Sequence, residues 1–197
     1  MNLSLVIACR DDPHILKLME TIDVDLPVIV SLVPNEELER ELRALGVTVV
    51  TSVSGNISIS YARGLAAADT ESAFIVDSDC LLGPGCLSTV NELLEEAPLA
   101  RARVEFASTP NIRFSDKIAR MRSLDSNTPP LPAWTPGLGL RLEIKHVLGG
   151  HFYDERVCWA SGAEIDRRVK RANLNVAYSP EAYIVHGPLS LSHALRS

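Results

Sequence analysis

Two carboxylates two residues apart close an apolar run in Ser72-Ala-Phe-Ile-Val-Asp77-Ser-Asp79-Cys-Leu. The run reads as a β-strand, and in an open α/β sheet ligands gather outside the carboxyl ends of the strands. Residues i and i+2 of an extended segment share a face. Asp77 and Asp79 can therefore offer oxygens to one hard divalent cation, Mg²⁺ or Mn²⁺, and a cation so held can bind a diphosphate. Aspartate is also favoured in turns and at helix N-caps, so the same pair fits a strand-end turn whose side chains cap the next helix.

Composition narrows the partners. A chain of 197 residues, 46% hydrophobic and 22% charged, is long enough for one sizeable core. Its formal net charge of -6 argues against a general nucleic-acid binder and leaves phosphate binding to local features. Cys9, Cys80, Cys86 and Cys158 lack C-x-x-C spacing, and the first strand runs into Arg10-Asp-Asp12 rather than a long apolar leader. Reduced thiols and a cytoplasmic location are the expectation. No run approaches the roughly 18 apolar residues of a membrane span.

The elements that must position the carboxylates alternate. Residues 3–9 read as a buried strand, and 13–22 as a helix with Asp12 as N-cap and Pro13 at its first position. Strands follow at 27–33 and 47–51, separated by a helix over 35–45 with Asn35 as cap and Gly46 as stop. A helix over 58–68, the strand 72–76 and a helix over 85–96 closed by Pro98 continue the pattern. Such alternation predicts a parallel sheet covered by helices. Beyond it, 115–124 reads as helical, and the Pro-rich 127–136 stretch is excluded from central sheet. Then come an apolar segment at 138–142, a short helix at 143–148, the Gly149-Gly150 break, a helix over 163–172, and strands at 175–178 and 182–186.

This order resembles the family 2 glycosyltransferases of GT-A fold. A βα unit opens the chain, a short strand pair follows, and the helix Ala62-Arg-Gly-Leu-Ala-Ala-Ala68 precedes the strand that ends in Asp77-Ser-Asp79. The second half is similar too. Gly149-Gly-His-Phe-Tyr-Asp154-Glu-Arg156, the basic helix Glu164-Ile-Asp-Arg-Arg168-Val-Lys-Arg-Ala172 and the close Tyr178-Ser-Pro-Glu-Ala182-Tyr-Ile-Val-His186 fall in the family's order. The resemblance implies one GT-A-like domain over 1–197, with a nucleotide-binding half over 1–98 and an acceptor half over 99–197. Its sheet is expected to be mostly parallel. The implied activity is hexosyltransferase-type transfer from a nucleotide diphosphate sugar, assisted by Mn²⁺ or Mg²⁺, to a small-molecule or lipid-linked acceptor. A homo-oligomer is compatible with so short a chain.

Residue roles follow from the resemblance. Asp79 is the expected metal ligand, Asp77 meets the ribose or the metal and its water, and His186 adds a further metal or phosphate contact unless it is an ordinary strand-end histidine. Arg63 matches the family's helix arginine at the nucleotide-facing end, or pairs on the surface with Asp69 or Glu71. Asp11 is the candidate contact to base or sugar. The second strand ends Val30-Ser-Leu-Val-Pro34-Asn35, without the acidic residue by which relatives bind the nucleobase. An inverting enzyme also needs a carboxylate base beside the acceptor hydroxyl. Counted back from Arg168, the family's acidic pair falls on Ser161-Gly162. Glu164 is the nearest replacement, although Ser161-Gly-Ala-Glu164 also spells a capping box. Asp166 and Asp154 are the other carboxylates, and Trp134 either walls the acceptor site or plugs the core. Without that pair, the expectation divides among a retaining transferase, an enzyme with another carboxylate as base, and a chain that binds a nucleotide sugar without turning it over. Asp77-Ser-Asp-Cys-Leu81 also superficially matches the nucleophile motif of haloacid dehalogenase-type phosphatases, but three strands precede it here.

Overall fold

The computed structural model describes residues 1–52, 55–107, 127–158 and 161–187. Its elements, in chain order, are β1 (Leu3–Cys9), α1 (Ile15–Met19), β2 (Val28–Leu32), α2 (Glu36–Ala44), β3 (Thr48–Thr51), α3 (Ile57–Ala66), β4 (Ser72–Asp77), β5 (Cys80–Leu82), α4 (Cys86–Glu96), β6 (Leu99–Phe106), β7 (Leu138–Arg141), a 3₁₀ turn (Leu142–Lys145), α5 (Ser161–Arg171) and β8 (Val176–His186). The helix expected over 115–124 lies outside the described residues.

One eight-stranded sheet runs β3-β2-β1-β4-β7-β6-β8-β5. Pairings among β1 to β4 are parallel, as is β6 with β8, whereas β7 is antiparallel to both β4 and β6, and β5 to β8. The sheet is thus continuous from residues before 98 to residues after it. All seven residues of β1 are buried because it lies mid-sheet with helices on both faces. Leu3, Leu5 and Ile7 pack with α1, α2 and α4, while Val6 and Ala8 pack with α3 and α5. α3 sits very close to the sheet, since a Cβ at Gly64 would lie 2.5 Å from Val6 Cγ1.

Local chemistry explains most boundaries. Asn35 caps α2 by accepting from the Leu38 amide at 3.0 Å, with Glu36, Glu37 and Glu39 in the first turn and Gly46 beyond its end at φ +81. α1 differs from the sequence reading. It begins at Ile15, and Asp12 is not its cap. The Asp12 carboxylate accepts from the His14 amide, two residues on, at 3.0 Å and from Ser78 Oγ at 3.3 Å. That two-residue reach is an Asx turn, which competes with helical capping.

Two strands, β5 and β6, lie where the sequence reading assigned none. β6 alternates Ala100, Ala102, Val104 and Phe106 on one face with Leu99, Arg101, Arg103 and Glu105 on the other, and Arg101 is fully buried. β8 unites the two predicted closing strands. Its register to β6 jumps from Ser179 to Tyr183 around Pro180, where the missing amide interrupts the ladder.

Candidate cation site at the sheet edge

The carboxyl ends of β1 and β4 lie level, with Ala8 opposite Asp77. β5 starts three residues later and pairs with β8 so that Cys80 faces His186. The turn between β4 and β5 is thereby folded onto the end of β8, where the Gly187 amide donates to the Asp79 carbonyl at 3.0 Å. His186 Nε2 lies 3.6 Å from Asp79 Oδ1 and 3.5 Å from Asp77 Oδ2. The other ring nitrogen, Nδ1, is 2.9 Å from the Gly187 carbonyl oxygen. An oxygen that can only accept assigns the proton to Nδ1 in the neutral ring, which directs the Nε2 lone pair toward the carboxylates. Metal-ligating histidines are commonly oriented in this way.

Negative charge is crowded at this edge. Burial raises the Asp79 carboxyl above its usual range, His186 opposes the rise, and Asp77 and Asp12 reinforce it. For His186, burial alone would lower the imidazole. The hydrogen bond to Asp77 and the charges of Asp77 and Asp79 overcome it and push the pKa up to about 9. A site that draws a proton between two carboxylates is a site suited to a cation.

Asp79, Cys80 and His186 each offer a ligand atom, and these atoms lie within 4.8 Å of one another. The thiol is the poor donor of the three. Cys80 is fully buried, and burial, then the charges of Asp77 and Asp79, hold it well above the ordinary thiol range, so it stays protonated. The carboxylate remains, with the imidazole once a cation displaces its Nε2 proton, a donor set that fits Mn²⁺ or Mg²⁺ better than a thiophilic metal. Asp77 is differently engaged: Tyr61 Oη donates to its Oδ1.

Asp11, Arg63 and Trp134 have partners of their own. Asp11 Oδ1 accepts from Asn35 Nδ2 at 2.5 Å, beside the end of β1. Arg63 Nη1 donates to the Thr51 carbonyl at 2.8 Å, and Arg43 Nη2 to that of Val49 at 3.2 Å, so both arginines cover carbonyls of the edge strand β3. Neither surface pairing expected for Arg63, with Asp69 or Glu71, forms. Trp134 is 38% exposed, its carbonyl accepts from Arg101, and its ring comes within 3.0 Å of where a Cβ at Gly162 would lie.

The three acceptor-side carboxylates are all ion-paired. Glu164 holds Arg168 through both oxygens, at 2.7 and 2.6 Å. Asp166 accepts from the Ala133 amide at 2.9 Å and pairs with Lys170 at 2.6 Å. Asp154 takes Arg156 in a bidentate pair, and these hydrogen bonds hold its carboxyl below the usual carboxylate range. Arg168 in turn donates to the carbonyls of Leu148, His151 and Phe152, which fixes the loop after the glycine pair. A cavity of about 630 Å³ lies between α3 and residues 142–156, and none of Asp77, Asp79 or His186 lines it. Donor chemistry, not concavity, marks the cation site. Tyr61, Arg168 and Gly187 were not foreseen as site residues: Tyr61 and Gly187 meet partners 16 and 108 positions away in sequence, and Arg168 joins Glu164, one turn back, to three loop carbonyls.

The chain is similar in structure to S. aureus TarS 1-349 in complex with UDP-GlcNAc, at 15% identity and a TM-score of 0.74 over 100% of this chain and 61% of that one. It is also similar to S. aureus TarS 1-349 in complex with UDP (14%, TM-score 0.69, 95% and 60%) and to GalNAc-T7 with UDP, GalNAc and Mn²⁺ (11%, TM-score 0.71, 94% and 43%). These are GT-A-type glycosyltransferases, and the chain has their fold. It spans about 60% of the length of the TarS 1-349 chains. No protein-family model matches it, and no curated protein does. Among the described residues no helix is long and apolar enough to cross a membrane.

Proposed function

We propose that this chain binds a nucleotide diphosphate sugar and transfers the sugar to an acceptor, with Mn²⁺ or Mg²⁺ held by Asp79 and His186. The observation that carries the reading is the meeting of the Asp79 carboxylate and the His186 imidazole, 3.6 Å apart, at the carboxyl edge of the sheet. Its support is the fold, shared with proteins solved with UDP-GlcNAc, with UDP, and with UDP, GalNAc and Mn²⁺. A cation bound there neutralises the charge that develops on the departing diphosphate. In the transfer, the sugar C1 to phosphate-oxygen bond breaks, the nucleoside diphosphate leaves with the electron pair, a bond from C1 to the acceptor oxygen forms, and the acceptor proton passes to solvent.

Within this reading, residues 1–98, completed by His186, supply the donor site, and the rest of 99–197 supplies the acceptor side of one catalytic unit. Asp11, two residues beyond β1, is the contact assigned to the base or ribose. Trp134 offers a ring face for a sugar, and the acceptor is a small molecule or a lipid-linked one. Glu164, Asp166 and Asp154 are engaged by cations in the described arrangement, so the reading assigns the donor site and not the proton acceptor.

Calorimetry with UDP and UDP-sugars, with and without Mn²⁺, tests it. Mn²⁺-dependent binding is expected in the parent protein and is expected to vanish in Asp79→Ala at unchanged fold. Equal Mn²⁺ dependence in both proteins would return Asp79 to a turn residue.

A further inference from the structure

Asp77, the first carboxylate of the motif, has each oxygen committed to a different partner. Tyr61 Oη donates to Oδ1, and Oδ2 lies 3.5 Å from His186 Nε2. Tyr61 is only 1% exposed, and its ring packs on that of Tyr153 at a centroid distance of 5.0 Å. A phenylalanine would fill the same apolar space beside Val6, Ile75 and Leu138. The hydroxyl in that position therefore needs a reason, since a buried phenol must find a partner. Asp77 is that partner.

The terminal torsion of an aspartate is broad and roughly two-fold, so an unrestrained Asp77 carboxylate could turn away from His186. A donor fixed on Oδ1 removes that freedom. We propose that Tyr61 is a positioning residue: its hydroxyl fixes the Asp77 carboxylate so that Oδ2 stays beside His186 Nε2, where it would offer a cation a further oxygen next to that of Asp79. The inference rests on the function proposed above. It gives Asp77 a fixed oxygen at the cation position and makes the buried Tyr61 the partner behind that ligand. Outer-layer partners of this kind commonly change metal affinity by 10- to 100-fold when removed.

Two measurements on the full chain test it, one of which needs no cation. In the metal-free protein, the His186 imidazole resonances, identified by their loss in His186→Gln, are expected to move in Tyr61→Phe, with the thermal unfolding transition retained. Mn²⁺-dependent UDP affinity is expected to fall about tenfold in the same variant. Asp77→Asn keeps an acceptor for the phenol and reports the link from its other end. Adding Tyr61→Phe to Asp77→Asn should change affinity by less than about threefold, because both substitutions break one chain of contacts. Unmoved His186 resonances, or an affinity within threefold of the parent in Tyr61→Phe, would overturn the assignment. If the parent itself binds no UDP with Mn²⁺, the proposed function falls, and the His186 resonances alone decide whether Tyr61 acts through Asp77.

Discussion

Gly187→Ala separates the cation site from the stability of the fold. A Cβ built on Gly187 would lie 2.5 Å from Asp79 Oδ2 and 3.1 Å from its Cγ. Ordinary contact begins near 3.4 Å, so the carboxylate oxygen must move by about 0.9 Å. Metal–ligand distances tolerate only about 0.2 Å. The backbone, by contrast, accepts alanine: Gly187 is not among the residues with positive φ. The hydrogen bond that its N–H donates to the Asp79 carbonyl is untouched by a side chain. Stability should therefore stay level or rise by about 0.4–1 kcal/mol through the unfolded state, while Mn²⁺ affinity falls at least about tenfold, or about 1.4 kcal/mol. Calorimetric Mn²⁺ titration beside urea unfolding measures both. Unchanged affinity at unchanged stability would refute the reasoning, because it would mean that the Asp79 carboxylate can be displaced without cost to the cation.

Two further outcomes are expected. Glu164→Gln should destabilise the chain by about 1–2 kcal/mol in urea unfolding, because it weakens a charged pair with Arg168 that is mostly buried; a change below about 0.3 kcal/mol would show that the pair does not hold the loop after Gly150. Burial raises the Cys86 thiol to about 12, and Cys9 and Cys80 are raised as well. A folded-state value above the unfolded one means that the stability is complete below about pH 9 and is lost as pH climbs toward 12. At pH 11 Cys86 alone accounts for about 2–3 kcal/mol of that loss. Urea unfolding at pH 8 and pH 11 should show the decline, and Cys86→Ala should lessen it; an equal decline in the variant would remove the thiol as its source.

The parallel half of the fold was legible because local signals agree with each other there. β1, α2 and β4 each combine a clear period, a cap or stop, and full burial. β6 was missed although Leu99-Ala-Arg-Ala-Arg-Val-Glu-Phe106 alternates with period two. Arg101 disguised it, because an arginine within a buried strand contradicts the usual link between charge and surface. Its guanidinium is accommodated by the carbonyls of Trp134 and Pro136, more than 30 positions away, and burial lowers its pKa to about 10. The pairing of Cys80 with His186 was likewise beyond reach, since a three-residue strand whose partner lies 106 positions away has no pattern of its own.

The acceptor-side carboxylates teach a different lesson, because their engagement was readable and was not read. Glu164 with Arg168 and Asp166 with Lys170 stand at i,i+4 on one helix, acid before base, the spacing and order that favour pairing. A capping-box reading of Ser161-Gly-Ala-Glu164 considered only the backbone amide as a partner for Glu164. The guanidinium one turn later is the stronger competitor, since it offers two charged donors in a plane that matches the carboxylate. Arg168 then passes its remaining donors to three carbonyls of the loop that ends at Tyr153, whose ring supports Tyr61. The helix that seemed to carry a base thus carries a brace, and contacts continue from it through two tyrosines to Asp77 and His186.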